Sequence, residues 1–371
     1  MTFEKVLEEL KPLKNVHSEV AEKIKSHNLP VIIYGAGHIA GYVTNSLKRV
    51  GVEVAGYAVD AEYYKPNKTY RNKPVYNFAE LSATPEKYVF ILGMNYFKDL
   101  FSKDLNPRVM QFLKNENLIH YDFIANFCPL SYEYIFENRN KFAEAFNLFE
   151  DDLSRQDMIK LLKMRISRKP VYDFDAYNPG VYFNDLTKAA LQKRGARFVD
   201  CGAFNGDTVE RFINWYGDSY EKIFALEPDS VNFEKLKKFI QEKNYTNIVP
   251  LNLGVWNEKT TLTFSEGNGE GSNISSAGNI TINTDTIDNI SGGERIDFIK
   301  MDIEGSELNA LKGAAETIQK YQPVLAICAY HKHEDLITLP QFIKSLNKNY
   351  KIYFRQHGLK VDGDEVLYAI P

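Results

Sequence analysis

The sequence predicts an α/β protein built on two doubly wound, largely parallel sheets. Three observations carry that prediction. Residues 198–207 pass from a short apolar strand through a glycine turn into an acidic helix start, and residues 31–40 show a related pattern nearer the N-terminus. Beyond residue 200, short apolar runs alternate with stretches of helical period, as successive βα units require. At 371 residues the chain exceeds what one hydrophobic core usually organises, so two domains and a connector are expected.

The first domain is expected over residues 1–130. Val31, Ile32 and Ile33 suit a buried strand, Gly35-Ala-Gly37-His-Ile-Ala40 a turn into a helix running through Leu47, and residues 52–60 a second strand ending at Asp60. Two spaced glycines with an acid roughly twenty residues on meet the minimum dinucleotide fingerprint. Gly35, Gly37 and Asp60 are therefore a candidate second nucleotide site in a small Rossmann-like sheet, to which residues 88–93 add a strand. The same glycines also suit a turn that only packs a strand closely against a helix.

Residues 131–195 carry no glycine before Gly180 and place Leu153, Met158, Leu161, Leu162 and Met164 at helical spacing, so they are expected to form a helical connector. Lys169-Pro170 should end it. The aromatic segment 172–182 is expected to lie across the face of the second domain, residues 196–371.

In that domain Phe198, Val199 and Asp200 start a strand, and Gly202 and Gly206 let the backbone turn and approach a ligand. Val209, Phe212, Ile213 and Tyr216 then recur at helical spacing, and residues 223–227 form a second strand ending in Glu227. Strands follow at 248–252, 296–301 and 324–328, and the last two, 350–354 and 365–369, suit an antiparallel edge. Between strands three and four, residues 260–264 and 279–283 alternate with period two and predict a hairpin, whose Gly/Ser-rich tip at 266–276 suits either a mobile loop near the site or an inert solvated turn.

Composition excludes several classes of function. With 44% apolar and 25% charged residues the chain is in the ordinary globular range, and a net charge of −4 gives no general attraction to nucleic acid or anionic membrane. No apolar run is long enough to span a membrane, and the charged N-terminus lacks a secretory core, so a cytoplasmic location is expected. Cys128, Cys201 and Cys328 have neither disulfide nor zinc spacing and read as small core residues. A homo-oligomer is compatible with the sequence.

Charge selects among cofactors for the second domain. A pyrophosphate needs a helix N-terminus free of competing anions, yet Asp207 stands at that position and Asp200 ends the strand before it. Two carboxylates there repel a dinucleotide and suit S-adenosylmethionine, which has no phosphate and carries an ammonium and a sulfonium.

Five blocks in order carry a family resemblance: Phe198-Val-Asp200-Cys-Gly202-Ala203, Leu226-Glu227-Pro228, Thr286-Ile-Asp288, Asp297-Phe-Ile-Lys-Met-Asp302-Ile-Glu304-Gly305, and Ala329-Tyr-His331-Lys-His-Glu-Asp335-Leu. On these, residues 198–371 resemble the FkbM-type methyltransferases. The resemblance implies a class I methyltransferase sheet with an antiparallel last strand, S-adenosylmethionine as cofactor, and methyl transfer to a hydroxyl. The N-terminal turn at Gly35 to Ala40 with Asp60 resembles the nucleotide-sugar-binding modules of bacterial sugar acyltransferases, which implies a carbohydrate or nucleotide-linked sugar as acceptor.

In such sheets ligands bind beyond the carboxyl ends of the strands. Asp200 is expected at the cofactor's ammonium and the backbone around Gly202 at its carboxylate, with Ala203, Phe204, Gly206 and Asp207 completing the turn. Glu227 is expected on the ribose hydroxyls, and Leu253 and Gly254 beside the adenine. Asp302 is also expected to contact the cofactor beside its methyl, and Asp302 and Glu304, two apart after the fourth strand, can face one acceptor. His331 follows the fifth strand and is the expected general base, because an alcohol attacks well only as its proton leaves. His333 has a weaker claim. Asp302, Glu304 and His331 can alternatively hold a divalent cation; without a diagnostic metal spacing the metal-free base is the reading adopted. The rivals are a nucleotide-sugar oxidoreductase using the Gly35 site and a non-catalytic scaffold.

Overall fold

A computed structural model describes residues 2–94, 118–119, 130–168, 180–191, 195–265, 273–274, 280–358 and 364–371. Its larger sheet contains β7 (Arg197–Cys201), β8 (Lys222–Leu226), β9 (Ile248–Leu251), β14 (Phe298–Met301), β15 (Val324–Cys328), β16 (Lys351–Gln356) and β17 (Glu365–Ile370). The order is β16-β17-β15-β14-β7-β8-β9. The strand order reverses between β7 and β14, which are parallel neighbours, so a crevice opens beyond their carboxyl ends.

The apolar runs form strands buried on both faces because alternate residues feed two cores. Val199, Cys201, Leu226, Ile299, Met301, Leu325 and Ile327 point to one. Phe198, Ile223, Ala225, Phe298, Val324, Ala326 and Cys328 point to the other, where Phe183, Val209 and Phe212 cover them.

The final pair makes the antiparallel end of the sheet, as expected. β17 alone runs antiparallel, inserted between β15 and β16 and bonded to both, so it is an interior strand. β16 is the outer one. It is covered: Glu150 donates its backbone N–H to the Ile352 carbonyl at 2.9 Å, the Ser154 hydroxyl accepts the Phe354 N–H at 3.0 Å, and Arg355 pairs with Asp151. These partners belong to the connector, whose described helices are Tyr132–Glu137, Arg139–Leu148, Asp152–Ser167 and Asp185–Ala190. Covering an edge blocks its use as a template for other chains.

The predicted hairpin is present, with β11 (Thr260–Ser265) antiparallel to β13 (Ile280–Asp285). Together with β10 (Gly254–Val255) and β12 (Asn273–Ile274) they make a separate four-stranded sheet. Most of the tip at 266–276 lies outside the described residues, as do Cys128 and positions 172–179 of the aromatic segment.

The N-terminal sheet holds β1 (Val31–Tyr34), β2 (Gly56–Val59), β3 (Thr69–Tyr70), β4 (Lys73–Asn77), β5 (Val89–Leu92) and β6 (Leu118–Ile119) in the order β3-β4-β2-β1-β5-β6. Its central strands are parallel. The first helix, Phe3–Leu10, packs elsewhere: Phe3, Val6, Leu7 and Leu10 join the core of the larger sheet beside Phe142, Phe146 and Leu162.

Candidate active site

The candidate site is built at the carboxyl ends of β7, β8, β14 and β15. Gly202 makes the first turn possible. Its φ is +81°, and a Cβ there would stand 2.1 Å from the Asp302 carbonyl oxygen, so no side chain fits between the two strand ends. Gly206, at φ +96°, precedes the helix Asp207–Tyr216 as its N-cap, and a Cβ would meet the Phe239 ring at 2.4 Å. Ala203 is fully buried, and Phe204 takes a left-handed φ of +46°. Asp207 is the first helical residue, exposed to solvent at the positive end of the helix.

Glu227 ties this turn to the second strand. Only 6% exposed, it accepts the Phe204 N–H and the Asp229 N–H at 2.9 Å each, one on either carboxylate oxygen. Burial pushes its pKa up to about 7 against the pull of those two donors. Each oxygen retains a lone pair, so a vicinal diol finds two acceptors here. Leu253 packs on the core below the sheet. Gly254 is buried in β10, where a Cβ would press on Ile282 and Thr284 at 3.0 and 3.1 Å.

Asp200 is fully buried. Its register partner in β14 is Lys300, whose ammonium lies 3.1 Å from Asp200 Oδ1 and donates to the Gly202 carbonyl at 2.8 Å. Burial alone lowers a lysine pKa, but the Asp200 and Asp302 charges reverse this and leave Lys300 raised. Burial raises Asp200 to about 6 even beside that cation. Sequence reasoning assigned Lys300 no role. Its signal was present: a lysine in the buried run Phe298–Met301 needs a charged partner.

The acceptor side gathers Asp302, Glu304 and His331. Asp302 and Glu304 side chains are each 30% exposed, and His331 only 7%. His331 Nδ1 lies 2.9 Å from Glu307 Oε1, and Nε2 lies 3.6 Å from both Asp302 Oδ1 and Glu304 Oε2. Burial alone lowers the imidazole pKa, but Glu307, then Asp302 and Glu304, outweigh it and lift His331 to about 10. A protonated imidazole donates where the expected base would accept. Glu307 is itself fully buried, held by the Ile303 N–H at 3.0 Å. Asp302 also accepts from the Tyr182 hydroxyl at 2.9 Å and from Tyr330 at 3.4 Å. Burial raises its pKa, but Lys300 and His331 pull harder, and the net is lowered. Tyr182, at the end of the aromatic segment, thus reaches the strand ends, and Glu307 escaped the sequence reading because it lies inside the next helix. The His333 ring lies tilted against Tyr134, with centroids 5.9 Å apart.

Gly35, Gly37 and Asp60 lie in the N-terminal sheet. A Cβ on Gly35 would stand 2.4 Å from the Gly93 carbonyl oxygen, whereas one on Gly37 would meet nothing within 4 Å. Asp60 accepts the Tyr34 hydroxyl at 2.6 Å.

This sheet order and the glycine turn beside a buried strand-end acid make a Rossmann-like fold with its ligand crevice at the β7–β14 switch point. Residues 200–354 match the family model described as the methyltransferase FkbM domain, which supports a methyltransferase that uses S-adenosylmethionine. A solved structure of methyltransferase FkbM from Methylobacillus flagellatus KT is similar in fold. It has a TM-score of 0.71 and 22% identity, covering 99% of this chain and 98% of that one. Weaker likenesses include an rRNA methylase from Streptococcus thermophilus, at TM-score 0.34 and 12% identity over 50% of this chain and 90% of that one. Aeropyrum pernix fibrillarin with bound S-adenosylmethionine gives 0.31 and 10% over 50% and 73%. No curated protein matches the chain. Among the described residues no helix is long and apolar enough to cross a membrane.

Proposed function

We propose that the protein methylates a hydroxyl of a carbohydrate, nucleotide-linked sugar or related metabolite. The observation that carries this reading is the convergence of the Asp302 and Glu304 carboxylates, partly exposed, on the His331 imidazole at the ends of β14 and β15. S-adenosylmethionine, when bound, supplies an electrophilic methyl group. In this reading Glu227 holds the ribose, the turn from Gly202 to Gly206 lines the methionine end, and Asp200, engaged by Lys300, fixes that turn from below. Asp302 receives the hydroxyl proton, while Tyr182, Tyr330 and His331 hold its carboxylate in place and Glu304 orients the acceptor. Carbohydrate acceptors suit a site whose polar groups are carboxylates and phenols.

The test is methyl transfer from labelled S-adenosylmethionine to a panel of free sugars, nucleotide-sugars, polyols and amines. Transfer to a hydroxyl acceptor is expected, with Asp302→Asn lowering kcat by about 10²–10⁴ and leaving cofactor affinity nearly intact. Transfer confined to amines, or full activity of Asp302→Asn, overturns the reading.

A further inference from the structure

We propose that Asp302, Glu304 and His331 form a divalent-cation site, with Glu307 behind the histidine. One ligand atom of each of the three lies within 4.8 Å of the other two. Nε2 of His331 is 3.6 Å from an oxygen of each carboxylate. An ion with ligands at about 2.0–2.2 Å holds neighbouring donors roughly 3.0–3.6 Å apart. A direct charge-assisted hydrogen bond instead closes to about 2.7–2.9 Å. His331 shows both kinds of spacing: Nδ1 is closed on Glu307 at 2.9 Å, and Nε2 stands 3.6 Å from an oxygen of each of the two carboxylates.

The group behind the histidine is the second, independent observation. Glu307 is fully buried and fixed by a backbone N–H, so it sets the ring orientation and aims Nε2 at the carboxylates. A carboxylate on the far nitrogen is the usual support of a metal-bound histidine. Glu304 reaches the cluster through a left-handed turn, φ +53°, followed by Gly305 at +92°. The 30% exposure of both carboxylates leaves one side of the cluster open for water or an acceptor oxygen. One imidazole with two carboxylates suits manganese, iron or zinc better than calcium, which takes an all-oxygen shell.

The role of such an ion rests on the hydroxyl-methylation reading. By polarising the acceptor oxygen it would ease passage of the O–H proton to the Asp302 carboxylate, as the new O–C bond forms and the C–S bond of the sulfonium breaks. The site itself does not rest on that reading.

The experiment is therefore run without acceptor: Mn²⁺ is titrated into the metal-stripped full-length protein and free Mn²⁺ is followed by paramagnetic resonance. One saturable site is expected, weakened at least about tenfold in Glu304→Gln and in Asp302→Asn, with Zn²⁺ competing. Circular dichroism and S-adenosylmethionine calorimetry establish that each variant is folded. No saturable binding by the wild type, or wild-type affinity in both folded variants, overturns the site. Cation binding without any hydroxyl-acceptor activity counts against the proposed function alone.

Discussion

Glu227 shows how one side chain serves structure and ligand together. Both its oxygens take a backbone N–H, and burial lifts it from the usual 4.5 to about 7. Between those values the folded protein binds a proton that the unfolded chain has released. The contribution to stability is complete below the unfolded pKa and is lost as pH rises through about 7. Ribose hydroxyls donate hydrogen bonds, so they bind the ionised carboxylate best. S-adenosylmethionine affinity is therefore expected to rise from about pH 6 to 8 in the wild type and to be lower and flatter in Glu227→Gln. Calorimetry over that range checks it, and a pH-independent wild type would remove Glu227 from the ribose.

At the scale of elements, β7 and β14 meet through a charged pair set in register, Asp200 opposite Lys300. Both side chains are at most 2% exposed, so removing one partner leaves a buried charge uncompensated. Lys300→Met is expected to destabilise the protein by about 3–5 kcal/mol. Adding Asp200→Asn should recover part of the loss, because the stranded charge is gone. Urea unfolding of the single and double variants decides this. A Lys300→Met protein of wild-type stability would mean that the pair contributes nothing to the fold.

The whole molecule is tied together by its ends. Leu10, fully buried, sits in the core of the larger sheet although some 190 residues of sequence separate the first helix from β7. Lys163 and Glu9 close the same contact at the surface, at 2.5 Å. Both tryptophans, Trp215 and Trp256, lie in the C-terminal half, so their fluorescence reports unfolding of that half. Leu10→Ala is expected to lower the stability read by that fluorescence by about 2–5 kcal/mol. An unshifted transition would show that the helix does not contribute to that cooperative unit.

The βα alternation, the glycine turn at 202–206, the strand-end acids and the hairpin are legible from the residues alone, because each follows from local rules of period, φ and spacing. Asp200, Glu227, Asp302 and Glu304 could be named that way, since the end of an apolar run marks the end of a strand. What these groups do to one another emerges from the fold. The Lys300 partnership depends on strand register, the His331 charge on a glutamate from the helix after β14, and the interior place of β17 on a pairing between strands and not on any property of β17 alone. Contacts between residues far apart in sequence leave no local pattern, and they set the burial and the neighbouring charges that fix protonation at this site.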